Sequence, residues 1–169
     1  MTVMGLTILD SEGYRKEAKT MTDPTNSCPM PQRDEDARVK ELLGAPCVVA
    51  VVGMSPKRER PSNEVALYLR DHGFTIIPVH PAAEEIEGMM VYPDLESIPA
   101  DAGVTIVDLF VAGPRTMPVV EQAAKIKAAV IWFQPGTENA ESEARARELG
   151  LEVLSGRCTK ADHQRLFGE

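Results

Sequence analysis

The run Val48-Val49-Ala50-Val51-Val52 does most to limit what this chain can fold into. An apolar stretch without alternation, nearly all β-branched, reads as a strand covered on both faces, which is the habit of parallel sheets. It stops at Gly53, and the loop Met54-Ser55-Pro56-Lys57-Arg58-Glu59-Arg60-Pro61-Ser62 carries the chain into a helix. A strand, a glycine turn and a helix start gather N–H groups that lack partners of their own. Such a turn is suited to phosphate.

The rest of the chain repeats this alternation. Strands are predicted over 47–53, 74–79, 104–110, 129–133 and 151–154, with a shorter one near 90–92. Helices are predicted over 34–43, 62–72, 114–127, 138–149 and 160–167, and a brief helical segment over 95–98. Gly44, Gly73 and Gly150 follow helical patterns directly, as C-terminal glycines do. Apolar strands alternating with helices imply an α/β fold: an open parallel sheet with helices on both faces, in three layers. Residues 1–32 are rich in Thr, Ser, Asp and Pro and read as an arm or flexible extension, leaving 33–169 as the folded domain. In open parallel sheets ligands sit beyond the carboxyl ends of the strands. The residues there are Gly53–Lys57, His80-Pro81, Phe110–Gly113, Gln134–Gly136 and Ser155-Gly156-Arg157.

Composition narrows the partners. With 43% hydrophobic and 26% charged residues the chain is globular, and its net charge of −8 argues against nucleic acid or an anionic membrane as general partner. Against that background the cluster Lys57, Arg58, Arg60 beside the glycine turn calls for an anion. Cys28, Cys47 and Cys158 form no CxxC pair, and His72, His80 and His163 show no metal-ligand spacing, so neither a disulfide framework nor a metal site is expected. Cys158 could offer a thiol to a cleft. The first residues lack a basic region followed by an apolar core, and no segment is long enough to span a bilayer. A cytoplasmic location is the expectation.

Motifs then exclude the common nucleotide sites. A dinucleotide fold wants G-x-G-x-x-G at the first turn and an acid ending the second strand. This turn has Gly53 alone, and the second strand ends Val79-His80-Pro81. No G-x-x-x-x-G-K-[ST] occurs, and Lys57 stands where a G-x-S-x-G nucleophile elbow would need its second glycine.

The same residues carry a different likeness. The segment VVAVVGMSPKRERPSNEVALYLRDHGFTIIPVHP, followed by GMMVYPDLESIP, VTIVDLF and AAVIWFQPGTENAESEARARELGLEVLSGRC, resembles the small stand-alone CoA-binding proteins of the YccU-like type. Their Rossmann-like domain is related to the CoA-binding domain of the succinyl-CoA synthetase α-subunit. The likeness runs from about Asp34 to Phe167 without large insertions. It implies that the turn Gly53, Met54, Ser55, Pro56 and Lys57 wraps the CoA pyrophosphate, with Arg60 and Ser62 near it. It also implies that Val79, His80 and Pro81 border the adenosine, as do Phe110 and Val111. Trp132, Phe133 and Gln134 would lie toward the pantetheine. The chain departs from the family in having His80 where Asn is usual before the proline. It also has Val111-Ala112-Gly113-Pro114 where the family commonly carries arginines, with Arg115 only later. Lys57 is therefore expected to matter more to the phosphates than Arg115.

The resemblance implies a CoA or acyl-CoA binding protein, and no catalytic constellation emerges from the residues. Asp108 is a lone acid within a strand, and Asp162 with His163 reads as a surface pair. The alternatives on the same fold are an NAD(P)-linked oxidoreductase or redox sensor, and a protein-interaction domain with a degenerate nucleotide cleft. A protein partner or a homo-oligomer remains open.

Overall fold

A computed structural model describes residues 35–168. The expected N-terminal arm and Asp34 lie outside the described residues. The strands are β1 (Val48–Val52), β2 (Thr75–Val79), β3 (Glu85–Ile86), β4 (Met89–Met90), β5 (Ile106–Leu109), β6 (Val130–Phe133) and β7 (Glu152–Ser155). The α-helices are α1 (Glu35–Leu43), α2 (Pro61–Asp71), α3 (Thr116–Lys125), α4 (Ala140–Glu148) and α5 (Thr159–Phe167).

Five strands form one sheet in the order β2-β1-β5-β6-β7, every pairing parallel. Successive side chains of a strand face opposite sides, and two cores result. On one side Val49, Val51, Ile106, Val130, Trp132 and Leu154 pack with residues of α1, α2 and α5. On the other Ala50, Val52, Val107, Leu109, Ile131 and Phe133 pack with residues of α3 and α4. The expected three-layered, Rossmann-like α/β fold is the one found. The ladders also align the strand ends, since Val52 pairs with Val79 and Leu109, Leu109 with Phe133, and Phe133 with Ser155. The residues after each strand therefore stand along one rim. No helix among the described residues is long and apolar enough to cross a membrane.

Two local expectations change. The strand expected near 90–92 is an antiparallel hairpin of β3 and β4, turned by Glu87 and Gly88 at φ 53° and 75°, and only Tyr92 bridges to Val79 of the main sheet. Left-handed conformations at both central residues suit a tight hairpin and end the strand early. Residues 95–98 are a turn closed by the Ile98 N–H to the Leu95 carbonyl, and a 3-10 turn follows at Ala100–Ala102. Leu95 and Ile98 are both buried, so their spacing records a packed loop rather than a helix face.

One polar residue interrupts the sheet's apolar interior. Asp108 on β5 is fully buried and accepts hydrogen bonds from Gln134 Nε2 at 2.8 and 3.0 Å and from Thr159 Oγ1 at 3.1 Å. Loss of water pushes its carboxyl up to about 7, and the hydrogen bonds from Gln134 and Thr159 only partly oppose that. An acid that binds its proton more tightly when folded stabilises the fold most below its unfolded value of 3.8, and that contribution is lost as pH rises through about 7. Asp108→Asn removes the ionisation. The melting temperature of the variant relative to wild type should therefore rise between pH 5 and pH 8, measured by circular dichroism. A difference that stays flat with pH would show that Asp108 does not titrate in this window.

Candidate functional site

β1 and β5 are neighbours in the sheet, but the chain leaves them toward opposite faces, β1 toward α2 and β5 toward α3. A crevice must open where the connections part, at the carboxyl ends of these two strands. It is a cleft of about 750 Å³. Gly53, Ser55, Arg60 and Ser62 line the β1 side, Phe110 and Arg115 the β5 side, and Gln134, Gly136, Thr137 and Cys158 the wall beyond β6 and β7. A second cavity, of about 590 Å³, lies at the opposite edge among Val104, Thr105 and Ala129, which precede or begin β5 and β6.

The turn after β1 is held by its own polar groups. Gly53 adopts φ +85° and donates its N–H to the Val79 carbonyl at 2.9 Å. A Cβ there would meet Val111 Cγ1 at 2.8 Å and the Phe110 carbonyl carbon at 3.3 Å, so the turn approaches the end of β5 as closely as backbone allows. Ser62 Oγ accepts the Ser55 N–H at 3.0 Å, and Asn63 Nδ2 donates to the Ser55 carbonyl at 2.9 Å. The start of α2 is thus tied to the loop it follows. Pro61 occupies the first helical turn, where it has no N–H to leave unpaired.

Charge separates the basic residues into two groups. Arg38, Arg58, Arg70, Arg145, Arg147, Arg157 and Arg165 each pair with a carboxylate. The other two arginines among the described residues, Arg60 and Arg115, have no carboxylate partner, and both line the cleft. The lining contains no Asp or Glu. The far wall is fixed from behind. Trp132, wholly buried, donates Nε1–H to the Arg157 carbonyl at 2.7 Å, and Arg157 holds Asp162 at 2.7 Å. Cys158, half-buried, follows Arg157 in this anchored loop.

Of the residues expected at the site, Gly53, Ser55, Arg60, Ser62, Phe110 and Gln134 share the cleft. The others stand elsewhere. Met54 is wholly buried in the core beneath the turn, and Pro56 and Lys57 are exposed outside the lining. The bonds from Lys57 N–H to Ser55 Oγ and from Arg60 N–H to the Lys57 carbonyl fold the loop back, so that Arg60 rather than Lys57 stands in the wall. Arg58 of the basic cluster is engaged by Glu87 of the β3–β4 hairpin. Val79 is core, His80 accepts the Ala82 N–H through Nδ1 at 3.2 Å, Pro81 is exposed, and Val111 backs Gly53 from outside the lining. Trp132 and Phe133 are wholly buried, on opposite sides of the sheet. Gly136 stands in the cleft as its place at a strand end suggested, although the resemblance gave it no role, and Thr137 beside it was not expected. Its place just after the same strand was the signal for it.

Gly53 and Gly136 allow a comparison, because both have φ near +90° but only Gly53 has atoms within reach of an added Cβ. Gly136→Ala should cost about 1 kcal/mol, the usual penalty for a side chain in the left-handed region. Gly53→Ala should cost about 1 kcal/mol more, since Val111 Cγ1 must give way and the Phe110 backbone is already in tight contact. Urea denaturation of both variants checks this, and equal losses would show that the close approach carries no energy.

Comparison with known proteins gives this site a context. The profile of the family described as "CoA binding domain" matches residues 48–164. The uncharacterised protein YneT of Bacillus subtilis is 33% identical over 132 residues, covering 78% of this chain and 96% of that protein. A solved structure of a hypothetical protein from Pyrococcus horikoshii is 43% identical, with a TM-score of 0.75 over 79% of this chain and 92% of its own. The ADP-forming acetate–CoA ligase I of Archaeoglobus fulgidus is 29% identical over 129 residues, which cover 70% of this chain but 18% of the ligase. By the profile match across both ladders of β1 and the cleft, the chain belongs to the CoA-binding domain family.

Proposed function

We propose that the chain binds CoA or acyl-CoA in the cleft beside β1 and β5 and is a binding protein without catalytic machinery of its own. The observation that carries this reading is the pair Arg60 and Arg115, which line one cavity and have no carboxylate partner among the described residues. In a chain of net charge −8 with seven other described arginines neutralised, two such cations in a carboxylate-free cleft create a local positive field. A pyrophosphate is the part of CoA that such a field and the Gly53–Ser62 turn would take. Guanidinium groups are suited to it because they can pair with two oxygens at once. The adenosine then lies toward the end of β2, and the pantetheine arm runs along the rim toward β6. Family membership supports the ligand, and so does the likeness to part of a CoA ligase.

A thermal-shift panel of CoA, acetyl-CoA, NAD, NADP and ATP tests the ligand. A ligand at a hundred times its dissociation constant stabilises by about 2.7 kcal/mol, a rise of roughly 5–10 °C for a chain of this size. Only the CoA species should give it, and no shift with CoA at millimolar concentration overturns the reading. Within the site, Arg60→Ala and Arg115→Ala should each weaken CoA about tenfold, a charged hydrogen bond's worth. Lys57→Ala should change affinity by less than about twofold, as exposed charges do. Titration calorimetry with the opposite ranking would move the phosphates out of the cleft to the loop's exposed side.

A further inference from the structure

Gln134 follows β6 and is only 3% exposed, yet it forms part of the cleft wall. Its Nε2 lies 2.8 and 3.0 Å from the two carboxyl oxygens of Asp108 and 2.8 Å from Thr159 Oγ1. The Thr159 hydroxyl donates its own hydrogen to Asp108 at 3.1 Å, so toward Gln134 it can only accept. A primary amide has two N–H bonds, and both are taken by these two acceptors. Oε1 has no protein partner among the described residues. Once Asp108 is ionised, turning the amide over would set its oxygen against a carboxylate that can only accept.

We propose that Asp108 and Thr159 lock the Gln134 amide so that Oε1 is the acceptor presented to the cleft at β6, where it receives an amide N–H from the ligand's pantetheine arm. The inference rests on the CoA reading and deepens it. β6 stands two strands from β1, and strands are about 4.8 Å apart, so Gln134 lies on the order of 10 Å along the rim from the phosphate turn. That distance is the reach of the arm's amides from the pyrophosphate. Asp108 touches no ligand on this account. It is a positioning residue, and its ladder neighbours Val51 and Trp132 carry no charge that would compete for the amide. An acceptor fixed in this way favours a ligand with an N–H at that point and disfavours one with an ester or ether oxygen there, because two acceptors then face each other.

Calorimetry at pH 8 with CoA and with adenosine 3′,5′-bisphosphate, which lacks the arm, separates this role from general damage to the cleft. Gln134→Met should weaken CoA about tenfold and leave the bisphosphate unchanged. Asp108→Asn supplies a donor that can take Oε1 and turn the amide, so it should shift the same ratio in the same direction. Wild-type protein gives a reading independent of any folding defect. Of two CoA analogues, each with one arm amide replaced by an ester, one should bind about tenfold more weakly than CoA. If wild type binds CoA and the bisphosphate but both esters bind as CoA does, or the variants weaken both ligands equally, the lock is overturned and the CoA reading stands. Binding of neither ligand by wild type overturns both.

Discussion

The parallel ladders on both edges of β1 are the constraint on which the rest of the molecule depends. Val48–Val52 meets β2 on one side and β5 on the other, and its side chains enter both cores. A strand so placed leaves no edge and no face to water, which accounts for its lack of a polar residue. It also settles where the sheet reverses its winding. The connections from β1 and β5 leave in opposite directions, and the crevice between them is a result of topology before any side chain is considered. The glycine at its mouth follows from the same crowding, since a Cβ at Gly53 would press on Val111.

Onto this backbone feature the chain places an uneven distribution of charge. Most arginines of the described residues are bound to carboxylates at the periphery. Arg157 and Arg165, for example, join α1 to α5 through Asp36, whose carboxyl they hold down to about 2. Exposed pairs of this kind contribute little stability each. Their larger effect is to neutralise every other arginine among the described residues, leaving Arg60 and Arg115 unpaired. Arg60 and Arg115 share one cleft lining without a carboxylate partner among the described residues, so the cleft carries a positive field of its own.

Much of this was legible in the residues, for reasons that can be named. The β1 run is long, apolar and ended by glycine, so its identity and the need for two flanking strands follow from pattern alone. Ser55, Phe110 and Gln134 stand just beyond strand ends, and register brings those ends into line, whereas Arg60 and Ser62 came to the site through the family resemblance alone. Lys57 was favoured over Arg115 because the resemblance places it in the phosphate turn and because the arginines usual after the fourth strand are missing here. The backbone path from Ser55 to Arg60, fixed by hydrogen bonds that no spacing encodes, is what puts Lys57 outside the cleft lining and Arg60 within it. The partners of Asp108 were hidden for a similar reason. Gln134 and Thr159 lie 26 and 51 residues away and reach it only through adjacent strands and the start of α5. The segment 90–92 reads as a strand, but the Glu87-Gly88 turn pairs Met89 and Met90 back onto Ile86 and Glu85.

Trp132 has one more property that follows from where it sits. It is the sole tryptophan of the chain, it is sealed from solvent, and its indole N–H is bonded to the loop that closes the far wall of the cleft. An indole without water around it emits at the blue end of its range, and its emission depends on the dipole to which its N–H is bonded. Excited at the red edge of the absorption, where the three tyrosines do not absorb, fluorescence from this protein therefore has a single origin, at the seam between the sheet and the Arg157–Cys158 loop. The molecule carries its own optical label at the wall of its cleft.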